Sequence, residues 1–274
     1  MIINGREIAD QILSEIKKEV LVLPFKPVFC DVLVGDDPVS LSYVRIKGKT
    51  ASRVGIGFKT IKFNYDIFQA QLEDEVKKLN LLPDLCGLII QLPLPKGFSQ
   101  QPILDAIDPH FDVDCMGSKN LESFYQGKPR FVPPTAAAIM AILDNLKVDL
   151  IAKKVLVIGQ GDLVGKPVSF LLRQKSFTVQ IADRKTADIF NQVKKADIII
   201  SATGQANLIK GEMVKQDSII IDAGTSEING GIVGDVEFES VSKVAGLISP
   251  VPGGVGPVTV AKLLKNVLLA AQSR

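Results

Sequence analysis

The sequence predicts an α/β protein of two domains, each built on a mostly parallel sheet. Three observations carry that prediction. Short β-branched apolar runs alternate with segments whose apolar residues recur every three or four positions, as in strands joined by helical crossovers. The chain has 274 residues, 46% of them hydrophobic, which is enough for two cores of ordinary size. The stretch 108–134 is rich in Gly, Pro and polar residues and has no period of its own. It places a border near Pro133, between a first domain over 1–133 and a second over 134–274.

The elements follow in chain order. Asn4 and Glu7 make a capping box, and Ile8, Ile12, Ile16 and Val20 recur at helical spacing up to Pro24. Val28–Val34 is a strand closed by the turn residues Gly35, Asp36, Asp37 and Pro38. A helix is expected over 40–54, a strand over 58–63, an amphipathic helix over 67–79 and a buried strand over 86–92 that runs into Pro93-Leu94-Pro95. A short helix over 99–107 precedes the border. Beyond it come a helix over 135–146, the strand Lys154–Ile158 and a glycine turn. Further strands are expected at Thr178–Ala182, 197–202, 218–222 and 245–248. A closing helix over 257–271 is expected to pack back on the first domain. No internal repeat or low-complexity tract is present.

Composition narrows the partners. Thirty-two basic against thirty acidic residues leave a net charge of +2, too balanced for the field of a nucleic-acid binder. Aromatics are 6% with no Trp, so stacking platforms are scarce and no nucleic-acid partner is expected. Cys30, Cys86 and Cys115 are odd in number and widely separated, which suits free thiols in a reducing cytoplasm better than disulfides or a zinc site. His110 is the only histidine, and no metal is expected. No apolar run approaches the roughly eighteen residues of a membrane span, and the first residues lack a signal-peptide pattern. The expectation is a cytoplasmic protein without a membrane partner.

In the second half, Lys154–Ile158 runs into Gly159-Gln160-Gly161-Asp162-Leu163-Val164-Gly165, and an apolar helix follows through Leu172. In a strand–glycine turn–helix unit the backbone approaches a pyrophosphate closely and the helix N-terminus offers free N–H groups. This makes the second domain Rossmann-like, a doubly wound parallel sheet. The spacing Gly-x-Gly-x-x-x-Gly is one residue longer than the common fingerprint, and an ordinary tight turn fits the same residues. Asp183, 24 residues after Gly159, suits a ribose 2′-hydroxyl. Arg184 beside it suits a 2′-phosphate instead, so NAD and NADP stay open, and two solvated loop charges are the plain alternative.

In the first half, Tyr43, Lys47 and Thr50 lie at i, i+4 and i+7 of the second helix and share a face. Gln91 ends the buried strand, at the edge where open α/β sheets hold ligands. A neutral amide there orients a lysine without neutralising it. The plain alternatives are a solvated helix face and a strand cap before Pro93.

Four segments together carry a resemblance: Tyr43-Val44-Arg45-Ile46-Lys47, Gln91-Leu92-Pro93-Leu94-Pro95, Asp112-Val113-Asp114, and the run from Pro250-Val251-Pro252-Gly253-Gly254-Val255-Gly256 to Val260. In this order and over the whole chain, the sequence resembles the methylenetetrahydrofolate dehydrogenase/methenyltetrahydrofolate cyclohydrolase family. The resemblance implies a ligand cleft between the two domains, a folate substrate, NADP or NAD as coenzyme, and a homodimer. It implies oxidation of 5,10-methylenetetrahydrofolate to the 5,10-methenyl form, followed by hydrolysis to 10-formyltetrahydrofolate.

Carried over by motif, Lys47 is the catalytic amine, partly neutral through desolvation, with Gln91 positioning it. Tyr43 packs by the pterin and Asp114 holds the pterin ring, so both join the catalytic set. Tyr43, Gln91 and Asp114, with Pro252, Gly253 and Gly254 of the late loop, make the substrate set. The coenzyme set is Gly159, Gln160, Gly161, Val164 and Gly165, then Asp183, Arg184 and Thr225. In the late loop, glycines let the backbone approach a flat ligand and prolines stiffen it.

The chain departs from the family pattern at several points. Gly159-Gln160-Gly161 stands where the family has Gly-Arg-Ser, whose Arg and Ser serve the 2′-phosphate of NADP. Ala182-Asp183-Arg184 replaces Cys-His-Ser, Phe111-Asp112-Val113-Asp114-Cys115 replaces Lys-Asp-Val-Asp-Gly, and Pro133-Pro134-Thr135-Ala136 replaces Pro-Cys-Thr-Pro. A monofunctional folate dehydrogenase, or a non-catalytic ligand-binding protein on the same frame, is the competing expectation.

Overall fold

Parallel pairing dominates the computed structural model, which describes residues 1–146, 152–228 and 230–274. The described residues fall into two compact units, Gln11–Pro134 with Val260–Arg274 and Met1–Asp10 with Thr135–Thr259.

The first of these carries the sheet β2-β1-β3, with β1 at Val28–Val34, β2 at Gly57–Phe63 and β3 at Leu85–Ile90. Both pairings are parallel, and β1 and β3 are almost wholly buried, which is why they read as continuous apolar runs. Helix α1 (Gly5–Leu21) starts on the expected cap, where the Asn4 side chain accepts from the Glu7 N–H at 3.3 Å. Helix α2 is Pro38–Arg53 and α3 is Gln69–Leu79. Asp37, read as a turn residue, caps α2 by accepting from the Ser40 N–H at 2.8 Å, with Pro38 in the first turn. Short helices α4 (Gln100–Asp105) and α5 (Ser118–Tyr125) follow. The second lies in the stretch expected to be irregular. Its start is held by a contact from α4, the Asp105 carboxylate accepting from the Ser118 N–H at 2.7 Å and from its hydroxyl at 2.9 Å, which leaves no local pattern to read.

The other unit carries the sheet β10-β7-β6-β4-β5, all parallel. After helix α6 (Pro134–Asn145) come β4 at Lys154–Ile158, α7 at Gly165–Gln174, β5 at Thr178–Ala182, α8 at Ile189–Lys195 and β6 at Ile198–Ser201. β7 is Ile219–Asp222, and an unforeseen antiparallel hairpin follows, β8 at Ser226–Ile228 and β9 at Gly231–Val233. A four-residue helix α9 (Phe238–Val241), β10 at Leu247–Ile248 and α10 at Val255–Gln272 complete the order. Helix α10 begins two residues before the expected start.

The first ten residues belong with this second sheet, unlike the contiguous 1–133 domain of the sequence reading. Ile2 bridges Ile248 in parallel, the Ile3 N–H donates to the Ile248 carbonyl at 2.8 Å, and the terminal amine reaches the Gly246 carbonyl at 2.6 Å. That pairing extends the sheet beside β10 and is invisible to periodicity. In the first unit the last helix is anchored by Asn266, whose amide donates to the carbonyls of Val113 at 2.8 Å and Val132 at 2.9 Å.

Both parallel sheets have the chain step out on one side of their first strand and return on the other. The switch lies between β1 and β3 in one and between β4 and β6 in the other. The C-terminal edges there are the places where open α/β sheets bind ligands.

Candidate active site

At the β1/β3 edge, α2 delivers Lys47 and the end of β3 delivers Gln91. The Lys47 ammonium donates to Gln91 Oε1 at 2.8 Å, and Gln91 Nε2 turns back to the Leu92 carbonyl at 2.5 Å, which fixes the amide's orientation. Lys47 is buried, at 7% exposure, so it is not the solvated lysine of a surface helix face. Tyr43 lies one turn earlier on the same helix and is half-buried. Thr50 does not join the group, because its hydroxyl donates to the Ile46 carbonyl of its own helix at 2.8 Å.

The structure adds a residue that sequence reasoning missed. Asp31, in the middle of β1 and fully buried, places Oδ2 2.6 Å from Lys47 Nζ. The signal was there to find, since one acid sits in the apolar run Val28-Phe29-Cys30-Asp31-Val32-Leu33-Val34. Lys47 thus has a carboxylate as well as an amide for company. Burial raises the Asp31 carboxyl above its usual range, and Lys47 opposes the rise.

The two acids of the loop after α4 divide their work. Asp112 is spent on the fold. Its Oδ1 accepts from the Met116 N–H at 3.2 Å, and its Oδ2 accepts from the Gly117 N–H and from Asn120 Nδ2, both at 3.0 Å. Asp114 is half-buried within electrostatic reach of the lysine. Burial pushes its carboxyl up to about 6, Lys47 pulls the other way, and Asp112 and Asp31 add to the rise. The next residue, Cys115, adopts φ +58°, a left-handed conformation that favours glycine. That explains why a glycine suits this position, and the buried thiol holds it by packing and by a 3.5 Å contact to the Phe131 carbonyl.

In the second unit the glycine turn follows β4, beside the end of β6. Each glycine has a separate reason. Gly159 has φ +94°, and a Cβ there would lie 2.3 Å from the Ala202 carbonyl oxygen. At Gly165 a Cβ would lie 2.0 Å from the Gly159 oxygen, so helix and strand could not pack as closely. Gly161 faces open space, and a Cβ there would meet nothing within 4 Å. Val164 starts α7 without a side-chain cap, which leaves the helix N-terminus for an anion. These features fit a dinucleotide pyrophosphate.

The remaining coenzyme candidates are distributed unevenly. Gln160 folds onto its own turn, donating to the Gly159 carbonyl at 2.8 Å. Asp183 is exposed, with Oδ1 accepting from the Lys185 N–H at 2.8 Å and from Thr186 Oγ1 at 3.2 Å. Its Oδ2 carries no such bond among the described residues. Arg184 is exposed and forms no ion pair among them, and Thr225 is exposed just past β7.

In the late loop Gly253 has φ +109°, and Pro252 is exposed after a cis peptide bond. Gly254 is required by its own chain. A Cβ there would lie 2.6 Å from the Pro250 carbonyl oxygen, and its own carbonyl lies against Gly5. Gly256 is the open one. Among the described residues, no group of three or more His, Cys, Asp or Glu is arranged to hold a metal ion, and no helix is long and apolar enough to cross a membrane.

Residues 3–114 match the family model of the tetrahydrofolate dehydrogenase/cyclohydrolase catalytic domain, and residues 133–274 match that of its NAD(P)-binding domain. The bifunctional protein FolD of Caldanaerobacter subterraneus subsp. tengcongensis is 43% identical over 270 residues, 98% of this chain and 96% of the relative. The crystal structure of the bifunctional FolD methylenetetrahydrofolate dehydrogenase/cyclohydrolase from Campylobacter jejuni superposes with a TM-score of 0.95 at 35% identity, covering 100% of this chain and 99% of that one. The Trypanosoma brucei enzyme, solved with NADP and an inhibitor, gives a TM-score of 0.94 at 36% identity, covering 100% of this chain and 97% of that one. With both family models matched in order and a full-length relative at this identity, the chain belongs to the tetrahydrofolate dehydrogenase/cyclohydrolase family.

Proposed function

We propose that this chain oxidises 5,10-methylenetetrahydrofolate to the 5,10-methenyl form with NADP or NAD, and then hydrolyses that product to 10-formyltetrahydrofolate, with Lys47 at the centre of the chemistry. The observation that carries the assignment is the buried Lys47 ammonium, 2.8 Å from Gln91 and electrostatically coupled to Asp114, at the sheet edge where ligands bind. The bound coenzyme supplies a hydride acceptor. Gly159, Gly161, Gly165 and the start of α7 would hold its pyrophosphate, and Asp183, Arg184 and Thr225 would serve its ribose and outer groups.

For hydrolysis, Lys47 as free amine takes a proton from water as the water oxygen bonds to the methenyl carbon. The C–N5 bond then breaks, N5 takes a proton, the hydroxyl gives one up to form the formyl group, and one proton is released in total. Gln91 fixes the amine, Asp114 accepts from pterin N–H groups and Tyr43 packs by the ring. The proposal includes a cytoplasmic homodimer, which sedimentation equilibrium checks.

The test is Lys47→Met, which keeps length and packing but removes the proton-handling group. Hydrolysis of methenyltetrahydrofolate is expected to fall by about 10²-fold or more, with coenzyme binding and the circular-dichroism spectrum retained. A variant that hydrolyses at the parent rate rejects the assignment.

A further inference from the structure

Asp31 has no part in the reaction described so far, yet its setting is hard to explain by stability alone. It is fully buried in the middle of an apolar strand, and its register partners are Thr60 on β2 and Ile89 on β3. Neither of its carboxylate oxygens has a hydrogen-bond partner among the described residues, and its Oδ2 lies 2.6 Å from Lys47 Nζ as an ion pair. A carboxylate buried without hydrogen bonds costs stability, and an apolar β-branched residue at the same place would not. What Asp31 does supply is a carboxyl group 2.6 Å from the amine that activates water.

The lysine ammonium has three N–H donors. One is donated to Gln91 at the end of β3, and the nitrogen also lies 2.6 Å from the Asp31 carboxylate of β1, so it is held between two adjacent strands. The other titratable groups acting here are Asp114 and, through it, Asp112 from the loop after α4, and Cys30 beside Asp31 on β1. Lys59 from β2 acts on Cys30. Burial lifts the Cys30 thiol to about 12, so it stays protonated throughout the working range.

We propose that Asp31 is a positioning residue that holds Lys47 as the ammonium and thereby sets the pH at which hydrolysis turns on, and with it the balance between hydrolysis and dehydrogenation. The inference rests on Lys47 being the base of the hydrolytic step. Before that step, the ammonium releases one proton to solvent and becomes the amine, and the adjacent carboxylate opposes this release. Lowering the pH therefore suppresses hydrolysis.

The experiment measures kcat/KM for methenyltetrahydrofolate hydrolysis against pH, with the uncatalysed rate subtracted, for the parent, Asp31→Asn and Asp31→Thr. KM for the coenzyme and the melting temperature are measured alongside. Asp31→Asn keeps the shape and removes the charge, and Asp31→Thr gives a strand-favouring second variant should the first not fold. The acid limb of the profile is expected to move to lower pH by about one unit or more, as removing an opposite charge at this distance dictates, with the coenzyme KM within about twofold of the parent. A folded variant whose limb stays in place, or moves to higher pH, overturns the inference. So does failure of both variants to fold while Lys47→Met folds, because Asp31 is then a structural group. Full hydrolysis by Lys47→Met rejects the underlying assignment instead, which separates the two failures.

Discussion

Gly159→Ala tests the glycine turn at the point where backbone geometry leaves least freedom. The residue has φ +94°, and an added methyl would sit 2.3 Å from the Ala202 oxygen and 2.7 Å from the Ala202 carbonyl carbon. Both contacts are backbone, so no side chain can swing aside. Left-handed backbone costs an L-residue about 1–2 kcal/mol, and forcing a methyl into a packed site costs about 1–3 kcal/mol more. The expected loss is thus about 2–5 kcal/mol, which at about 2–4 °C per kcal/mol lowers Tm by about 4–20 °C. Gly161→Ala is the matched comparison, with no positive φ and nothing within 4 Å of the new methyl. Its stability is expected within about 0.5 kcal/mol of the parent, while the methyl occupies the space assigned to the pyrophosphate and raises the coenzyme KM about tenfold or more, a loss of about 1.4 kcal/mol. Thermal melts and steady-state dehydrogenase assays read both variants. A Gly161→Ala enzyme with parental coenzyme KM, or a Gly159→Ala enzyme that melts with the parent, refutes this account of the turn.

Asp114→Ala is expected to weaken folate binding by about 1.5–3 kcal/mol, the scale of a charge-assisted contact, with coenzyme KM unchanged; equal losses for both ligands count against the pterin role. Asp112→Ala, which strips partners from two buried N–H groups and from Asn120, is expected to lower Tm instead, so a melt distinguishes the two acids. Coenzyme choice is expected to be relaxed: Asp183→Ser shifts kcat/KM towards NADP, and Arg184→Ala selectively weakens NADP, whereas a strong parental NADP preference untouched by Arg184→Ala contradicts this view of the ribose pocket. Stability is expected to fall as pH rises from about 4 to 7. Burial pushes Asp222 up to about 7 and Asp114 up to about 6 in the folded chain, both from 3.8, so the folded state binds protons more tightly than the unfolded state across that window and loses the advantage as they ionise. Melts across the window check the sign, and the slope is expected to be shallower in Asp114→Asn.

The elements with a strong repeating pattern were legible in the chain alone. β1 and β3 are buried on both faces, so they appear as apolar runs whatever surrounds them, and Gly159 and Gly165 appear because their turn tolerates no side chain. Lys47 and Gln91 were legible as candidates, the first by its helix register with Tyr43 and the second by its place at the end of a strand. Their 2.8 Å contact and the burial of Lys47 were not, since these depend on parallel pairing of β1 with β3 and on where α2 lies over the sheet. Tertiary structure alone decided the rest. α5 starts on the Asp105 carboxylate thirteen residues upstream, Ile2 and Ile3 pair with a strand near the other end of the chain, and Asp31 becomes the partner of Lys47 sixteen residues away. Local sequence sets which backbone conformations are cheap and which faces are apolar. The partner of a buried charge or an unpaired edge is chosen by what the folded chain brings within hydrogen-bond distance, and one acid in an apolar strand becomes informative only when that partner is seen.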